Sequence, residues 1–315
     1  MSVSTAAHDP SGPSGHQGAF GRKRPKRPPS FAGEGRKLRL AEWQLALPLA
    51  LAFTALFLAP LLLLVATSFF NDDKITEPGF ASWAKFFGDP FNYKVIFDTL
   101  LLGLKTVCAT VVVGYPVALV YMDLSPRLQK VLLFIIVMPM LLSVVVRTFA
   151  WIVVLGREGV VNQTLLWLGL ISEPLRLLQT ELGLVISLTQ IEMPLMLLPL
   201  ISVMSRLDPH LRDASAALGA SRWRTLFTVI VPLSMPGLVA GCLLVFASST
   251  TAFISQTVIG GVRLIYLPLV IWQQSLVVYN WPLAAVASLS LVVSVLTVIA
   301  ALSYLGRRSS RHLHG

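Results

Sequence analysis

Long apolar runs alternate with short polar stretches along most of this chain. About 20 consecutive apolar residues allow a helix to cross the hydrocarbon core of a bilayer. Because apolar residues in these runs are continuous rather than alternating, the pattern favours an all-α integral membrane protein over a β-barrel. The predicted spans are Gln44–Ser68, Val95–Tyr121, Val131–Leu155, Leu182–Met204, Leu233–Thr257 and Pro282–Leu305.

Several prolines interrupt or border these runs. In lipid, neighbouring helices can satisfy the carbonyl groups that a proline frees. We therefore expect the prolines to kink the spans rather than break them. The residues concerned are Pro60, Pro116, Pro139, Pro194 and Pro199.

The polar stretch before the fifth span has a pattern of its own. Its alanines and leucine between Asp213 and Gly219 favour a short helix, and Gly219 permits a sharp turn after it. The basic patch Arg222–Arg224 then leads to Val229–Pro232 at the start of the span. A folded, basic loop of this kind is typical of a docking element for a soluble partner.

Composition agrees with a membrane protein. Of the 315 residues, 55% are hydrophobic and 13% are charged, whereas about 25% are charged in an ordinary soluble domain. The net charge of +10 comes from a tail and loops between apolar runs, so it does not indicate nucleic-acid binding. Cys108 and Cys242 both lie in apolar runs without metal-ligand spacing, and we interpret them as small buried hydrophobic residues.

Residues 1–42 are predicted to be a disordered, basic cytoplasmic tail. Ser, Gly and Pro dominate Pro10–Gly18, and Arg22–Arg27 with Arg36–Arg39 add eight bases. Such a stretch buries too little apolar surface to fold alone, and its charges favour anionic lipid. The apolar run after it is too long for a cleavable signal. A membrane-spanning domain of six helices is predicted at 43–306, and residues 307–315 are predicted to form a short cytoplasmic C-terminal tail.

Charge in the loops predicts the orientation of the spans. With the N-terminal tail in the cytoplasm, the cytoplasmic segments hold seventeen Lys and Arg residues and the opposite side holds six. Both termini and the folded loop are therefore expected in the cytoplasm. On the other side, Asn71–Tyr93 mixes acids with aromatics, and Val160–Leu170 suits a short interfacial helix. Interfacial packing explains both loops, although they could also receive an extracytoplasmic partner.

Motifs of catalysis do not occur in the sequence. A phosphate-binding Gly-x-x-x-x-Gly-Lys-Ser/Thr is absent, as are metal-ligand clusters and a nucleophile beside a base. We therefore predict a protein that is not an enzyme, with neither a cofactor nor a metal.

Charged residues inside the predicted spans include Lys105, Arg147 and Glu192. Charged groups in lipid are costly and are candidates for a substrate pathway. Arg147 and Glu192 lie on consecutive spans, and a pairing between them is one hypothesis. A structural ion pair or hydrogen bond is the alternative role for Glu192, whereas Lys105 could border a water-filled cavity.

The folded loop resembles the EAA signature of permease subunits of bacterial ATP-driven (ABC) importers. The signature reads Glu-Ala-Ala, three residues, Gly, nine residues, Ile-x-Leu-Pro, and its spacing is kept here. The matching residues are Asp213, Ala214, Ser215, Gly219, Val229, Val231 and Pro232. The departures are Asp for Glu, Ser for Ala, and Val for both Ile and Leu.

More of the chain, from about Gln44 to Leu305, is similar to the spermidine/putrescine-type permeases. The similarity is carried by Gly114–Ala118, Arg147–Trp151, Gly156–Gly159 and Asn280–Pro282, among other segments. It implies six transmembrane helices in the type I importer permease fold, with a cytoplasmic coupling helix.

The resemblance also implies a mechanism. A coupling helix from Asp208 to Leu218, within a loop at about 205–232, would sit in a groove of a separate ATPase subunit. Closure of the ATPase dimer would then alternate access between the two sides. The implied coupling residues are Asp208, Leu211, Asp213, Ala214, Ser215, Ala217, Leu218, Gly219 and Pro232.

The family further implies ATPase subunits, a second related or identical permease, an extracytoplasmic solute-binding protein and membrane lipid as partners in the bacterial inner membrane. The expected cargo is a polyamine or similar small organic cation. Alternatives are iron, phosphonate, opine or amino-acid-like solutes. A secondary transporter driven by protons or sodium, or a membrane-anchored assembly or signalling protein, would represent other function classes.

Overall fold

The computed structural model describes residues 34–311 except positions 73 and 209. Regular structure within this part is helical, with one isolated β-bridge between Phe70 and Pro78. The helices are α1 (Glu34–Ser68), α2 (Ala81–Gly88), α3 (Pro90–Asp123), α4 (Pro126–Val137), α5 (Val144–Leu155), α6 (Val160–Trp167), α7 (Glu181–Met204), α8 (His210–Ala217), α9 (Arg222–Thr225), α10 (Val231–Thr250), α11 (Phe253–Gly260), α12 (Leu267–Trp272) and α13 (Trp281–Arg311). π-Helical turns follow α9 and α12 at Leu226–Ile230 and Gln273–Val277.

The chain divides into two compact units, one ending at Leu58 and the other beginning at Ala59. The described part of the first unit, residues 34–58, belongs to helix α1, whose apolar stretch starts at Leu47 and which continues to Ser68 in the second unit. Helix α1 begins at Glu34, so residues 34–42 are helical although we assigned them to the tail. The rest of the predicted tail, residues 1–33, lies outside the described residues, as do residues 312–315 of the predicted C-terminal tail.

Five helical segments are long and apolar enough to cross a membrane, and a bent pair brings the number to six among the described residues. The bent pair joins Pro126–Leu141 to Val144–Trp167 at an angle of 103°. This pair corresponds to the predicted third span, Val131–Leu155, which is therefore wrong as one continuous helix.

The break in the third span has a local cause. Pro139 is the second residue of a 3-10 turn at Met138–Leu141, where its missing N–H group cannot continue the α-helical ladder. Ser143 then starts α5, and its Oγ accepts a hydrogen bond of 3.3 Å from the Val145 amide. The expectation that every proline only kinks a span is wrong here, whereas α3 continues through Pro116 and α7 through Pro194 and Pro199.

The predicted fifth span also differs, because α10 ends at Thr250 and α11 starts at Phe253. At this break, Thr251 Oγ1 donates a hydrogen bond of 2.9 Å to the Ala247 carbonyl. Gln256 Nε2 donates to the carbonyls of Ser249 and Thr250 at 2.9 and 3.2 Å. Side chains thus replace backbone bonds, which allows the helix to stop inside the predicted span.

Helix α7 is the centre of the second unit, packing against both α3 and α10. Its side chains Leu188, Met196 and Leu200 are fully buried. Close approach of α10 depends on Gly241, because a Cβ atom there would lie 2.8 Å from Met196 Sδ and 2.9 Å from its carbonyl oxygen. The cavities of the second unit therefore form around a tightly packed trio of helices.

Candidate functional site

The signature loop folds as a short helix, α8, with defined ends. The Asp208 carboxylate accepts a hydrogen bond of 2.9 Å from the His210 amide, and its carbonyl accepts one of 3.1 Å from Leu211. Asp208 therefore caps the start of α8, as a short acidic side chain can. We predicted a helix from Asp208 to Leu218, and α8 spans His210–Ala217; Pro209 lies outside the described residues.

The end of α8 is a Schellman motif. The Gly219 amide donates to the Ala216 carbonyl at 2.9 Å, and the Ala220 amide donates to Ser215 at 3.1 Å. Gly219 has φ +80°, a left-handed conformation that glycine adopts without steric cost. The predicted sharp turn at Gly219 is therefore confirmed in its geometry.

Several side chains of this loop have few contacts within the chain. Leu218 is 89% exposed, and Trp223, which stacks on Phe227 with ring centroids 6.2 Å apart, is 71% exposed. Leu211 is also exposed. Exposed apolar groups beside a capped helix are typical of a protein interface. The sequence pattern predicted Leu211 and Leu218 as coupling residues. It did not predict Phe227, whose place at this surface is evident only from its ring contact with Trp223.

Other contacts attach α8 to the spans. The hydroxyl groups of Ser215 and Thr225 form a hydrogen bond of 2.8 Å, which ties α8 to α9. Pro232 lies in the first turn of α10, where a missing N–H group is tolerated. A cavity of about 540 Å³ separates this region from the end of α3, and Asp123 and Asp213 both line it. Ala214 and Ala217 belong to α8 itself.

A second cavity, here called the membrane cavity, has a volume of about 450 Å³. It forms where the breaks in the third and fifth spans meet α7. Broken helices at a membrane site expose backbone groups and polar side chains that a continuous helix would hide. The lining residues are Met140, Val144, Arg147, Ile191, Glu192, Pro194, Leu195, Ser248, Thr251, Ala252, Phe253, Ile254 and Ser255.

Glu192 and Arg147 both line the membrane cavity. Glu192 is 4% exposed, and its carboxyl group is hydrogen-bonded to Ser248. An Arg147 guanidinium N–H donates to the Ile191 carbonyl at 3.4 Å, while Arg147 Nε has no partner in the described structure. Between these two described side chains, no nitrogen–oxygen distance is within 4.0 Å. The structure therefore brings the two predicted pathway residues together in one cavity without a direct ion pair.

Helix α11 is held beside α5 at the membrane cavity. Thr148 and Ser255 share a hydroxyl–hydroxyl hydrogen bond of 3.1 Å. This contact joins the second half of each broken span, so the two breaks are fixed relative to each other. Ser248, Thr251 and Ser255 were not predicted as site residues, although the run Ser248–Thr251 could have indicated a helix end.

Lys105, the third predicted pathway residue, lines a different cavity. Its Nζ forms a salt bridge of 2.5 Å with Glu181 Oε1, in the first turn of α7. This space of about 320 Å³ is called the Lys105 cavity. Its lining residues are Phe91, Lys94, Val95, Asp98, Leu101, Lys105, Glu181, Arg263, Leu264, Ile265 and Tyr266.

The predicted outer loops are ordered by local contacts. Asp72 accepts hydrogen bonds from the amides of Glu77 and Thr76, both at 2.9 Å, and from the Thr76 hydroxyl. The Glu77 amide and the Thr76 hydroxyl hold the pKa of Asp72 at about 2. Farther along, Trp83 stacks on Phe87 at 5.9 Å. The short helix predicted within Val160–Leu170 is present as α6.

Residues 110–311 match the family described as the binding-protein-dependent transport system inner membrane component. The chain belongs to this family. Its membership confirms the prediction of an inner-membrane transport subunit that is not an enzyme. The matched residues include both α8 and the membrane cavity, whereas Lys105 precedes them.

Individual relatives and solved structures agree with the family. The chain is 33% identical over 240 residues to the spermidine/putrescine transport system permease protein PotB of Haemophilus influenzae, covering 75% of this chain and 84% of that protein. A bacterial ABC transporter involved in import of the acidic polysaccharide alginate superposes with TM-score 0.70 at 19% identity, covering 87% and 98%. A bacterial alginate ABC transporter in complex with its pentasaccharide-bound periplasmic protein gives 0.67 at 18%, covering 88% and 97%. The predicted all-α importer permease fold is confirmed.

Proposed function

We propose that this permease forms half of the translocation pathway of an ATP-driven importer for a polyamine, such as spermidine or putrescine, or a similar small organic cation. The observation that carries the proposal is the buried carboxyl group of Glu192 in the membrane cavity. The similarity to PotB, a protein named for spermidine/putrescine transport, supports the same class of cargo.

The membrane cavity has the groups that an alkyl ammonium ion requires. Glu192 supplies a negative charge, and the hydroxyls of Ser248 and Thr251 can accept hydrogen bonds from N–H groups. Met140 and Leu195 supply apolar walls for methylene groups. Arg147 balances the charge of Glu192 across the cavity, and its contact with the Ile191 carbonyl keeps it off the carboxylate.

Helix α8 is the proposed contact with a separate ATPase subunit. The capped ends of α8 make it a stiff unit, and Leu218 and Trp223 offer exposed apolar surface for a partner. The hydrogen bond between the hydroxyl groups of Ser215 and Thr225 couples movement of α8 to α9, and α9 leads to the fifth span. The proposed coupling residues remain Asp208, Leu211, Asp213, Ala214, Ser215, Ala217, Leu218, Gly219 and Pro232.

The proposed topology places both termini and α8 in the cytoplasm, with the loops before α3 and before α7 outside. The excess of Lys and Arg in the cytoplasmic segments, seventeen against six, supports this orientation. A second permease subunit, ATPase subunits and an extracytoplasmic solute-binding protein complete the proposed importer. The complex of the alginate transporter with its periplasmic protein provides a precedent for that last partner.

The coupling role of α8 is tested with a pair of glycine variants. Gly219 and Gly169 both have positive φ, at +80° and +68°, and at both sites a Cβ atom would meet no other atom within 4 Å. Valine strains the backbone at both sites by about 1–2 kcal/mol. We expect Gly219→Val to reduce ATP-driven uptake by at least about tenfold, because α8 loses its end geometry, whereas Gly169→Val retains most uptake.

Labelled spermidine uptake in cells without other polyamine importers, together with recovery of the ATPase subunit with the permease, provides the measurement. Equal uptake by the two variants, at equal amounts of permease in the membrane, would remove α8 as the coupling element. Ligand binding by the purified solute-binding protein tests the cargo independently, and a receptor that binds an anion or a metal but no polyamine would contradict the proposed substrate.

A further inference from the structure

The Lys105 cavity combines charged groups from three parts of the chain. Lys94, Asp98 and Lys105 line it from one face of α3, since their spacings of four and seven residues correspond to about one and two helical turns. Glu181 enters from the first turn of α7, and Arg263 comes from the turn after α11. The cavity thus holds three basic and two acidic side chains.

The positions of its lining residues along α3 place the Lys105 cavity near one surface of the membrane. Helix α3 has 34 residues, which gives a length of about 51 Å, well beyond the roughly 30 Å of hydrocarbon. Helix α7 begins at Glu181, next to Lys105. The pair therefore lies where α7 enters the membrane, on the side that we propose is extracytoplasmic.

The Glu181 carboxylate is well suited to bind an ammonium ion. Glu181 lies in the first turn of α7, where the helix dipole stabilises a negative charge. Its present partner is an ammonium group, Lys105 Nζ, at 2.5 Å. The structure therefore already contains an ammonium–carboxylate complex of the kind that a cationic cargo would form.

This complex can be opened at little cost. Both side chains are 41% exposed, and exposed ion pairs contribute little to stability. Lysine is a point charge on a flexible stem, so Lys105 can turn away without movement of α3. The salt bridge is thus better suited to exchange than to holding α3 and α7 together.

We propose that Glu181 is an entry subsite for an ammonium group of the cargo, and that Lys105 occupies it until the cargo displaces the lysine. The inference rests on the proposed function, because it requires a cargo that carries an ammonium group. Exchange is needed here, because Lys94 and Arg263 already make the cavity basic and a further cation would be repelled. When one ammonium replaces another at Glu181, the charge at that carboxylate is unchanged, and the second ammonium of a diamine can face Asp98.

Asp98 and Tyr266 provide contacts for the rest of a diamine. Burial, and then the charges of Glu181 and Asp98, raise the pKa of the Tyr266 hydroxyl, which places that hydroxyl in the field of both carboxylates. Tyr266 is 3% exposed and therefore has a fixed position in the wall. A cargo with two ammonium groups can engage Glu181 and Asp98 together, which a single lysine cannot do.

A cysteine-labelling experiment on the complete importer tests the subsite. Lys105→Cys, in a background of Cys108→Ala and Cys242→Ala, removes the internal ammonium and leaves a thiol beside Glu181. The label is 2-aminoethyl methanethiosulfonate, a cationic thiol reagent, and the competitors are putrescine and the uncharged diol 1,4-butanediol. Lys94→Cys provides a matched thiol in the same cavity, away from the salt bridge.

We expect putrescine to slow labelling at position 105 by about two- to fivefold, the range of an exposed ion pair. Butanediol should have no effect, Glu181→Gln should abolish the protection, and protection at position 94 should be weaker. The subsite would be overturned if putrescine still slowed labelling at position 105 in the Glu181→Gln variant, or if butanediol slowed labelling equally.

Spermidine uptake by the unaltered importer separates this inference from the proposed function. Uptake without Glu181-dependent protection overturns the subsite alone. Absence of uptake overturns the proposed function and, with it, the role of Glu181 as an entry site for cargo.

Discussion

Glu192 and Glu181 lie on the same helix and each lines a cavity, but their surroundings differ. Glu192 is 4% exposed, and no basic nitrogen of the described residues lies within 4.0 Å of it. Glu181 has a 41% exposed side chain and binds Lys105 at 2.5 Å. A buried carboxyl group without a direct ion-pair contact is costly, whereas a half-exposed pair contributes little.

This difference assigns the two acids separate tasks. Eleven residues along α7 separate them by about 16 Å, so one putrescine molecule cannot contact both. Glu192 has no cation in direct contact, because Arg147 lies across the cavity, so a cationic cargo can contact its carboxyl group. Glu181 holds an internal cation that a cargo can replace. We therefore expect a large effect of Glu192 on transport and a smaller one of Glu181.

The largest effect is expected from Glu192→Gln, which removes the charge and keeps the size of the side chain. Hydrogen bonds to charged groups contribute about 1.5–3 kcal/mol, so spermidine uptake below saturation should fall by at least about tenfold. Initial uptake rates at equal amounts of assembled complex provide the measurement.

Glu158→Gln is the matched control for this variant, because Glu158 is exposed and lines neither cavity. It should leave uptake unchanged. Normal uptake by Glu192→Gln would show that Glu192 has no role in the pathway. The proposed difference between Glu192 and Glu181 in transport would then be wrong.

A smaller effect is expected from the substitution Arg147→Gln. Arg147 lies across the membrane cavity from Glu192. Arg147 acts on a cation through Glu192, so we expect uptake to fall by roughly three- to tenfold and the two substitutions to be non-additive. The double variant should transport no worse than Glu192→Gln alone. Uptake rates of the two single variants and the double variant measure this coupling; fully additive losses would mean that the two residues act independently.

The smallest effect is expected from Glu181→Gln. Loss of an exposed carboxylate should lower uptake at low spermidine concentration by about two- to fivefold, and saturating spermidine should restore the rate. Lys94→Met changes the charge of the same cavity without breaking the salt bridge and serves as the comparison. A loss as large as that of Glu192→Gln would contradict the division of tasks between the two acids.

The sequence predicts those parts of the molecule that depend on local pattern. Apolar length identifies the spans, and the spacing from Asp213 to Pro232 identifies the α8 loop with its turn at Gly219. Both follow from residues close together in the chain. The same pattern fails at Leu142 and Ser143, since the apolar run continues there and conceals a bend of 103°.

The cavities could not be predicted, because they depend on contacts between distant segments. Lys105 and Glu181 are 76 residues apart, and only packing of α3 against α7 brings them together. Arg147 and Glu192 were predicted as a possible pair from neighbouring spans, but their separation depends on how the break places α5. The hydroxyl run Ser248–Thr251 carried a usable signal for the second break.

The most direct test of the central claim is spermidine uptake into proteoliposomes that contain this permease, its partner permease, the ATPase and the loaded solute-binding protein. We predict uptake that requires ATP inside, where the proposed topology places α8 and the ATPase, and that falls at least about tenfold with Glu192→Gln. Two results would contradict the proposed function: uptake that needs no ATP and is lost when the proton gradient is dissipated, or uptake that Glu192→Gln leaves unchanged.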